Sequence, residues 1–475
     1  MPITVLGGTT SAAAAYEIAN SVRFNDGDSP SLRRTIPDDE SSTGNRNLWT
    51  FSTWLKRGQL GTQQAIFGSY QNSNYHTVIE FNTSDQLNFF DEYNGSKNGQ
   101  RTTSRVFRDC SSWYHIVCVW DKNNGTDALK MRVFVNGVEE SSFATNSVPS
   151  NSGTLGADNQ DMSIGERETV GQNFDGYFAE TFFVDGTAYA ASAFGEFDED
   201  SPTLWKPKDC SGDLTFGTNG FWLDYEDSGT LGNDANGGTD YTATNLAAVD
   251  QATDTPTNNF SVMNPLDNYW QGSTFSQGNC VVTTTNAATT FNTSTFGMTK
   301  GKWYWEMMIT DVGSTSNFHG ISGKFSTSAT NFFGEGNYDW GTRDSTGKFW
   351  NASNSVTYGA TWTSNNDILG CALDLNDNKI YLSVNGTWNN SGDPTDGTGA
   401  KTITAASSVP AGAYFASFGD WNTGDTITVA FNFGGCPGFA ISSGNADDNG
   451  YGNFEYDVPE GYLALCTKNL GSDGG

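Results

Sequence analysis

One stretch of sequence occurs twice in this chain, and it dictates a pleated architecture. In the first copy, Trp113-Tyr114-His115-Ile116-Val117-Cys118-Val119-Trp120-Asp121 runs into a polar turn around Lys122–Asp127 and then Met131-Arg132-Val133-Phe134-Val135-Asn136-Gly137-Val138. In the second, Asp367-Ile368-Leu369-Gly370-Cys371-Ala372-Leu373-Asp374 passes through Asn376-Asp377-Asn378 to Ile380-Tyr381-Leu382-Ser383-Val384-Asn385-Gly386. Each copy carries Cys three residues before Asp, and each following strand ends in Val-Asn-Gly. Asn-Gly between alternating apolar runs specifies a type I′ hairpin, because both central residues need positive φ. The repeat therefore predicts a three-strand meander used twice, and with it two β-sandwiches of related architecture.

The rest of the chain agrees. Trp49, Phe51 and Leu55 share one face of a strand that ends at Lys56-Arg57-Gly58, and short strands follow at 65–67, 77–81 and 86–90. Gly alone fills 55 of 475 positions and charged residues only 16%, a composition suited to strands joined by many tight turns. The fold class is all-β: two jelly-roll-type antiparallel sandwiches joined by an extended linker, after a short N-terminal attachment segment. The expected boundaries are 1–21 for the attachment segment, 22–208 for the first sandwich, 209–268 for the linker and 269–475 for the second sandwich. The linker is rich in Gly, Asp, Asn and Thr, and Phe221–Tyr225 is placed to add a strand to the first sandwich.

Charge excludes several function classes. Acidic residues outnumber basic ones 54 to 24, for a net charge of −30 that would repel nucleic-acid phosphate. The excess is spread: residues 1–250 carry 34 acids and 16 bases, and 251–475 carry 20 and 8, so it acts as a solvation device rather than a steering patch. No run of about 18 apolar residues is available for membrane insertion. The seven cysteines are scattered without C-x-x-C spacing, several inside apolar strands, as expected of free thiols in a reducing cytoplasm. The start of the chain has no basic n-region or secretory h-region. A Ser/Thr/Asn/Gly-rich surface on a protein made in the cytoplasm suits a virion component, assembled inside a host and released by lysis.

Two resemblances follow from these residues. Trp49–Leu55, Trp113–Asp121, Val133–Gly137, Ser163-Ile164-Gly165 and Phe174-Asp175-Gly176-Tyr177-Phe178-Ala179-Glu180 resemble the laminin-G/concanavalin-A-like fold, a jelly roll used mainly for glycan or protein binding. Gly301-Lys302-Trp303-Tyr304-Trp305-Glu306, His319-Gly320-Ile321, Asp367–Asp374, Tyr381–Gly386, Ala413–Phe415, Val429–Gly434 and Pro459-Glu460-Gly461-Tyr462 follow the order of an SPRY domain, a binding module without known catalysis. The Gly-rich insert after Phe433 departs from that pattern. Taken together, the segments resemble structural proteins of tailed bacteriophages. The resemblance implies a non-enzymatic tail fibre or receptor-binding protein on the virion surface, with capsid decoration as the alternative. Its partners would be other virion proteins, further copies of itself, and a host-surface glycan or protein.

The candidate ligand contacts are the aromatics crowded into one polar region of the second half: Tyr338, Trp340, Phe349, Trp350 and Trp362. Candidate particle-attachment residues are Ile3, Val5, Leu6 and Tyr16. The rival reading is a polysaccharide depolymerase acting through Glu196, Asp198 or Asp200, the one carboxylate array at strand period. Its loop context favours an acidic turn instead, so no catalytic residue is assigned. His76, His115 and His319 lack a nucleophile or ligand neighbour at useful spacing and are expected to be structural. Turns such as Asp374–Asn378 lack the Asp-x-Asp-x-Asp-Gly pattern with a distal Glu, and no phosphate-cradling loop precedes a helix; neither metal nor cofactor is expected.

Overall fold

The computed structural model describes residues 16–36, 44–156, 160–167, 171–267, 272–286, 289–313, 316–324, 333–421 and 424–474. Among the described residues strands dominate, and helix is confined to isolated single turns and the C-terminal segment from Thr467 to Gly474. The chain divides into two units, Ala12–Thr257 and Asn258–Gly475.

In the first unit, one antiparallel sheet runs in the order Val138–Glu139, Met131–Val135, Tyr114–Asp121, Leu48–Arg57, Gly176–Asp185, Ser21–Phe24, Gln251–Ala252, with Phe221–Leu223 also paired to Gly176–Asp185. The facing sheet runs Phe143–Ser147, Ser96–Val106, Gln86–Tyr93, Tyr75–Phe81, Gln64–Asn72, Asp161–Ile164, Ser31–Thr35, Thr242–Thr244. Aromatic residues close the space between them. Phe51 stacks on Phe67 at 4.4 Å, and Phe89 meets both Trp49 and Trp120 edge-on. Each such pair adds about 0.5–1.5 kcal/mol beyond burial.

A bulge between Ala179 and Phe182 lets Phe178 and Phe183 both face this core, although residues five apart in a regular strand face opposite sides. The bulge holds Glu180 at φ 47, a left-handed conformation uncommon for a non-glycine residue.

The strand expected to stop at Lys56 continues through Arg57, because both cations are neutralised inside the protein. Lys56 Nζ lies 2.8 Å from Asp254, and Arg57 Nη1 lies 3.1 Å from Asp85. Asp254 comes from the stretch read as a linker. That stretch supplies Phe221–Leu223, as the sequence suggested, and also Thr242–Thr244 and Gln251–Ala252 to the two sheets of the first unit.

In the second unit, one sheet runs Thr274–Ser276, Val281–Thr283, Ile427–Asn432, Lys302–Val312, Ile368–Asp374, Lys379–Val384, Thr387–Trp388. Lys401–Thr402 pairs with Lys379–Val384, and Leu463–Ala464 joins Lys302–Val312 in parallel. The other sheet runs Thr290–Thr293, Phe415–Asp420, Asn317–Ser322, Asp339–Arg343, Lys348–Asn351, Asn354–Thr357. Trp303, Trp305, Met307 and Ile309 point inward from one strand to form the core with Phe418 and Phe431. The alternate residues Tyr304 and Glu306 point outward, where Phe454 and Tyr462 cover them.

The repeated motif folds the same way in both units. Asn136 and Gly137 adopt φ 48 and 78; Asn385 and Gly386 adopt φ 49 and 75. In each copy the Asn Oδ1 accepts a hydrogen bond at 2.8 Å from the first strand of the meander, from His115 N in one and Ile368 N in the other. Cys118 and Cys371 are buried core residues, and all seven cysteines are buried free thiols.

Candidate functional site

Strand alternation decides what the aromatics of the second unit can do. From Lys348–Asn351, Phe349 points inward and Trp350 outward. Phe349 packs on Tyr358 at 5.2 Å, and Trp362 is fully buried in the same core. Neither ring reaches the surface, which corrects their candidacy as ligand contacts. Tyr338 and Trp340 are half-buried against that core. Trp350 packs edge-on against Phe318 at 5.7 Å, within a small outer cluster of Phe291, Phe318 and Phe333.

Two residues outside the sequence candidates complete a surface platform here. Trp421, 44% exposed, follows the Phe415–Asp420 strand, and Arg343 ends the strand Asp339–Arg343. The Arg343 guanidinium lies 5.3 Å from the Trp421 ring, 5.9 Å from Trp350 and 5.8 Å from Phe318. Its Nη2 donates to Ser316 Oγ at 2.8 Å, which fixes the plane of the head group. A cation held between indoles is attracted by both ring quadrupoles. Trp421 is thus a partly exposed indole with a fixed positive charge beside it, a pairing suited to a sugar ring or an apolar side chain. The signal in the sequence was that Arg343 is the only arginine after residue 250. Behind the platform, buried Asp339 accepts from Ser322 Oγ at 2.7 Å, Lys324 Nζ at 2.8 Å and Gly336 N at 3.1 Å. These bonds pin the loop that delivers Phe333 and Tyr338.

In the first unit, the outer face of the second sheet carries its own polar and aromatic group. His76 Nε2 accepts from Arg167 Nη2 at 2.8 Å; burial, and then the Arg167 charge, keep the imidazole below its ordinary pKa. Lys97 Nζ sits 3.3 Å over the Phe90 ring and pairs with Glu92 at 2.8 Å.

Within the carboxylate array of Glu196, Asp198 and Asp200, Glu196 and Asp198 share one cation, Lys206 Nζ, at 3.5 and 3.2 Å. Asp198 Oδ1 accepts from the backbone N–H groups of Asp200 and Ser201, and its Oδ2 from Lys206 Nζ, so it closes a turn. The lysine and these N–H groups hold its carboxyl below the usual range. Glu196 is left beside Lys206 at 3.5 Å. Asp374 serves a turn in the same way, accepting from Asn376 N and Asp377 N. His115 and His319 are fully buried, and burial lowers each to about 3. Among the described residues, no group of three or more His, Cys, Asp or Glu is placed to hold a metal, and no helix is long and apolar enough to cross a membrane.

Of the attachment candidates, Ile3, Val5 and Leu6 lie outside the described residues. The Tyr16 hydroxyl donates to Glu180 Oε1 at 3.0 Å, and Trp222 Nε1 donates to Glu180 Oε2 at 2.8 Å, so Tyr16 is tied to the first sandwich. Burial pushes the Glu180 carboxyl up to about 8.

Comparison with known proteins agrees with this architecture. Residues 33–195 match the family model of the concanavalin A-like lectin/glucanases superfamily (Laminin_G_3), and residues 302–433 match that of the SPRY domain. A concanavalin-like domain and an SPRY domain are thus present, one in each unit. No curated protein matches the chain in sequence. Similar solved structures include the SPRY domain of human HERC1, at 16% identity and TM-score 0.29, covering 36% of this chain and 96% of that one. A heptameric SAP-like pentraxin from Limulus polyphemus is 19% identical with TM-score 0.28, covering 37% of this chain and 80% of its own. A carbohydrate binding protein described from Bacteroides ovatus is 14% identical with TM-score 0.32, covering 48% of this chain and 59% of its own.

Proposed function

We propose that this chain is a non-enzymatic surface protein of a tailed-bacteriophage virion, a tail fibre or receptor-binding component that recognises a host-surface glycan or protein. Two lectin-like β-sandwich domains support a binding function. The single observation that carries the reading is the Arg343–Trp421 platform, an exposed indole with a fixed cation beside it. Individually weak contacts of this kind gain strength when many copies act together on one particle, which favours a homo-oligomer docked to other virion proteins. The phage assignment draws its support from the combination of domains with the acidic, evenly charged surface.

The test is adsorption competition. Purified chain and its Trp421→Ala variant are each added to host cells before infection. The reading requires that the native chain blocks adsorption and the variant does not. Incubation of the native chain and an Asp198→Asn variant with isolated host polysaccharide must leave its length unchanged. Cleavage abolished by that substitution would replace the binding reading with a depolymerase.

A further inference from the structure

We infer that the first unit carries a second ligand site, a cavity that takes one or two pyranose residues of a neutral glycan. It opens at the strand pair Gly195–Phe197 and Trp205–Pro207, which packs beside the Asn136-Gly137 turn. Most of this strand pair lies beyond the concanavalin-like match, which ends at residue 195. The cavity volume is about 390 Å3, within the range of about 300–1,000 Å3 typical of small-molecule sites.

The back wall is an indole that cannot move. Trp205 Nε1 donates to His115 Nδ1 at 3.0 Å, and His115 Nε2 donates in turn to Ser52 Oγ at 2.9 Å. The chain requires a neutral imidazole carrying its proton on Nε2. His115 also stacks between Trp54, at 4.7 Å, and Trp205, at 5.9 Å. Two glycines close on the Trp205 ring: a Cβ at Gly137 would lie 2.2 Å from Cε3, and one at Gly195 would lie 2.7 Å from Cζ2. Phe197 stands edge-on to Trp205 at 4.9 Å and is 41% exposed, so it offers an aromatic face to an incoming molecule.

The rim supplies groups of every hydrogen-bonding kind. Glu196 accepts, Lys208 donates, and the Ser192 hydroxyl does both. Glu196 also has Lys206 within 3.5 Å, so the rim's charges are of both signs and demand no net charge from the ligand. A pyranose answers this lining: one face is C–H and stacks on rings, while its edge is a ring of hydroxyls that both donate and accept. The rigid wall means that little ordering accompanies binding.

This inference does not rest on the Trp421 platform, which lies in the other unit. The experiment is saturation-transfer difference NMR on the full chain, with a panel of methyl hexopyranosides and their disaccharides as probes. At least one sugar is expected to show transfer to its ring protons at millimolar concentration. Phe197→Ala should weaken it roughly threefold to tenfold, the loss of one ring contact. Ser192→Trp, which fills the cavity from an exposed position, should abolish it, and Trp421→Ala should leave it unchanged. Far-UV circular dichroism and the amide NMR spectrum verify that each variant is folded. Three results would overturn the inference: no panel sugar binds, binding survives Ser192→Trp, or the signal is lost in Trp421→Ala while Phe197→Ala retains it.

Discussion

The two copies of the Val-Asn-Gly turn should tolerate the same substitution very differently. Alanine at Gly137 or Gly386 meets one common cost, since φ of 78 or 75 is left-handed and disfavours a Cβ by about 1–2 kcal/mol. The surroundings set the difference. At Gly137 the new methyl would sit 2.2 Å from Trp205 Cε3, and that ring is fixed by its bond to His115. Relieving the clash breaks the bond and leaves the buried His115 Nδ1 unsatisfied, a further ~1–3 kcal/mol. At Gly386 the nearest atom is Tyr456 Cδ1 at 2.7 Å, on a half-buried ring that can swing away. The expected losses are therefore about 2–5 kcal/mol for Gly137→Ala and about 1–2 kcal/mol for Gly386→Ala. Hydrogen–deuterium exchange followed by mass spectrometry reads both hairpins separately in the intact chain. Equal losses, or a larger one at Gly386, would refute the reasoning that Trp205 is locked.

Other substitutions probe the buried charges. Lys56→Ala should destabilise the first unit by about 3–5 kcal/mol, because the Asp254 carboxylate loses this cation while both side chains are only 1% exposed. The double variant Lys56→Met/Asp254→Asn should recover most of that loss in urea denaturation; no recovery would mean the lysine acts through packing alone. Burial raises Glu180 to about 8 in the folded state against about 4.3 unfolded, so stability is lost as pH rises through that interval. Glu180→Gln should therefore gain on the native protein between pH 5 and pH 8, on the order of 3–4 kcal/mol, and parallel pH profiles would contradict it. His115 and His319 act in the opposite sense. Each is held at about 3 by burial, so stability falls as pH drops below the unfolded value of about 6.5. Their C2–H NMR resonances should show no titration between pH 8 and pH 5.

Much of the architecture was legible because it is local. The Cys-to-Asp spacing and the Asn-Gly turn lie within one meander, and both copies fold with the same Asn side-chain hydrogen bond. What could not be read depends on partners far along the chain. Lys56 reads as a strand end until Asp254, 198 residues later, is placed against it. Thr242–Thr244 is short, polar and exposed, and is a strand only because Ser31–Thr35 offers it an edge. The same limit applies to the site. Sequence crowding brought Phe349 and Trp362 forward, yet strand phase and core packing turned them inward, while the Phe415–Asp420 strand delivered Trp421 to Arg343. Bulges add to the difficulty, since the one at Glu180 reverses the face of every following residue in its strand.

The central claim is recognition without chemistry through the Arg343–Trp421 platform, and binding to a microarray of bacterial surface polysaccharides tests it most directly. The native chain should be retained on at least one polysaccharide and leave it uncut, with binding reduced about tenfold or more by Trp421→Ala. Release of shortened chains, or retention unchanged by that substitution, would contradict it.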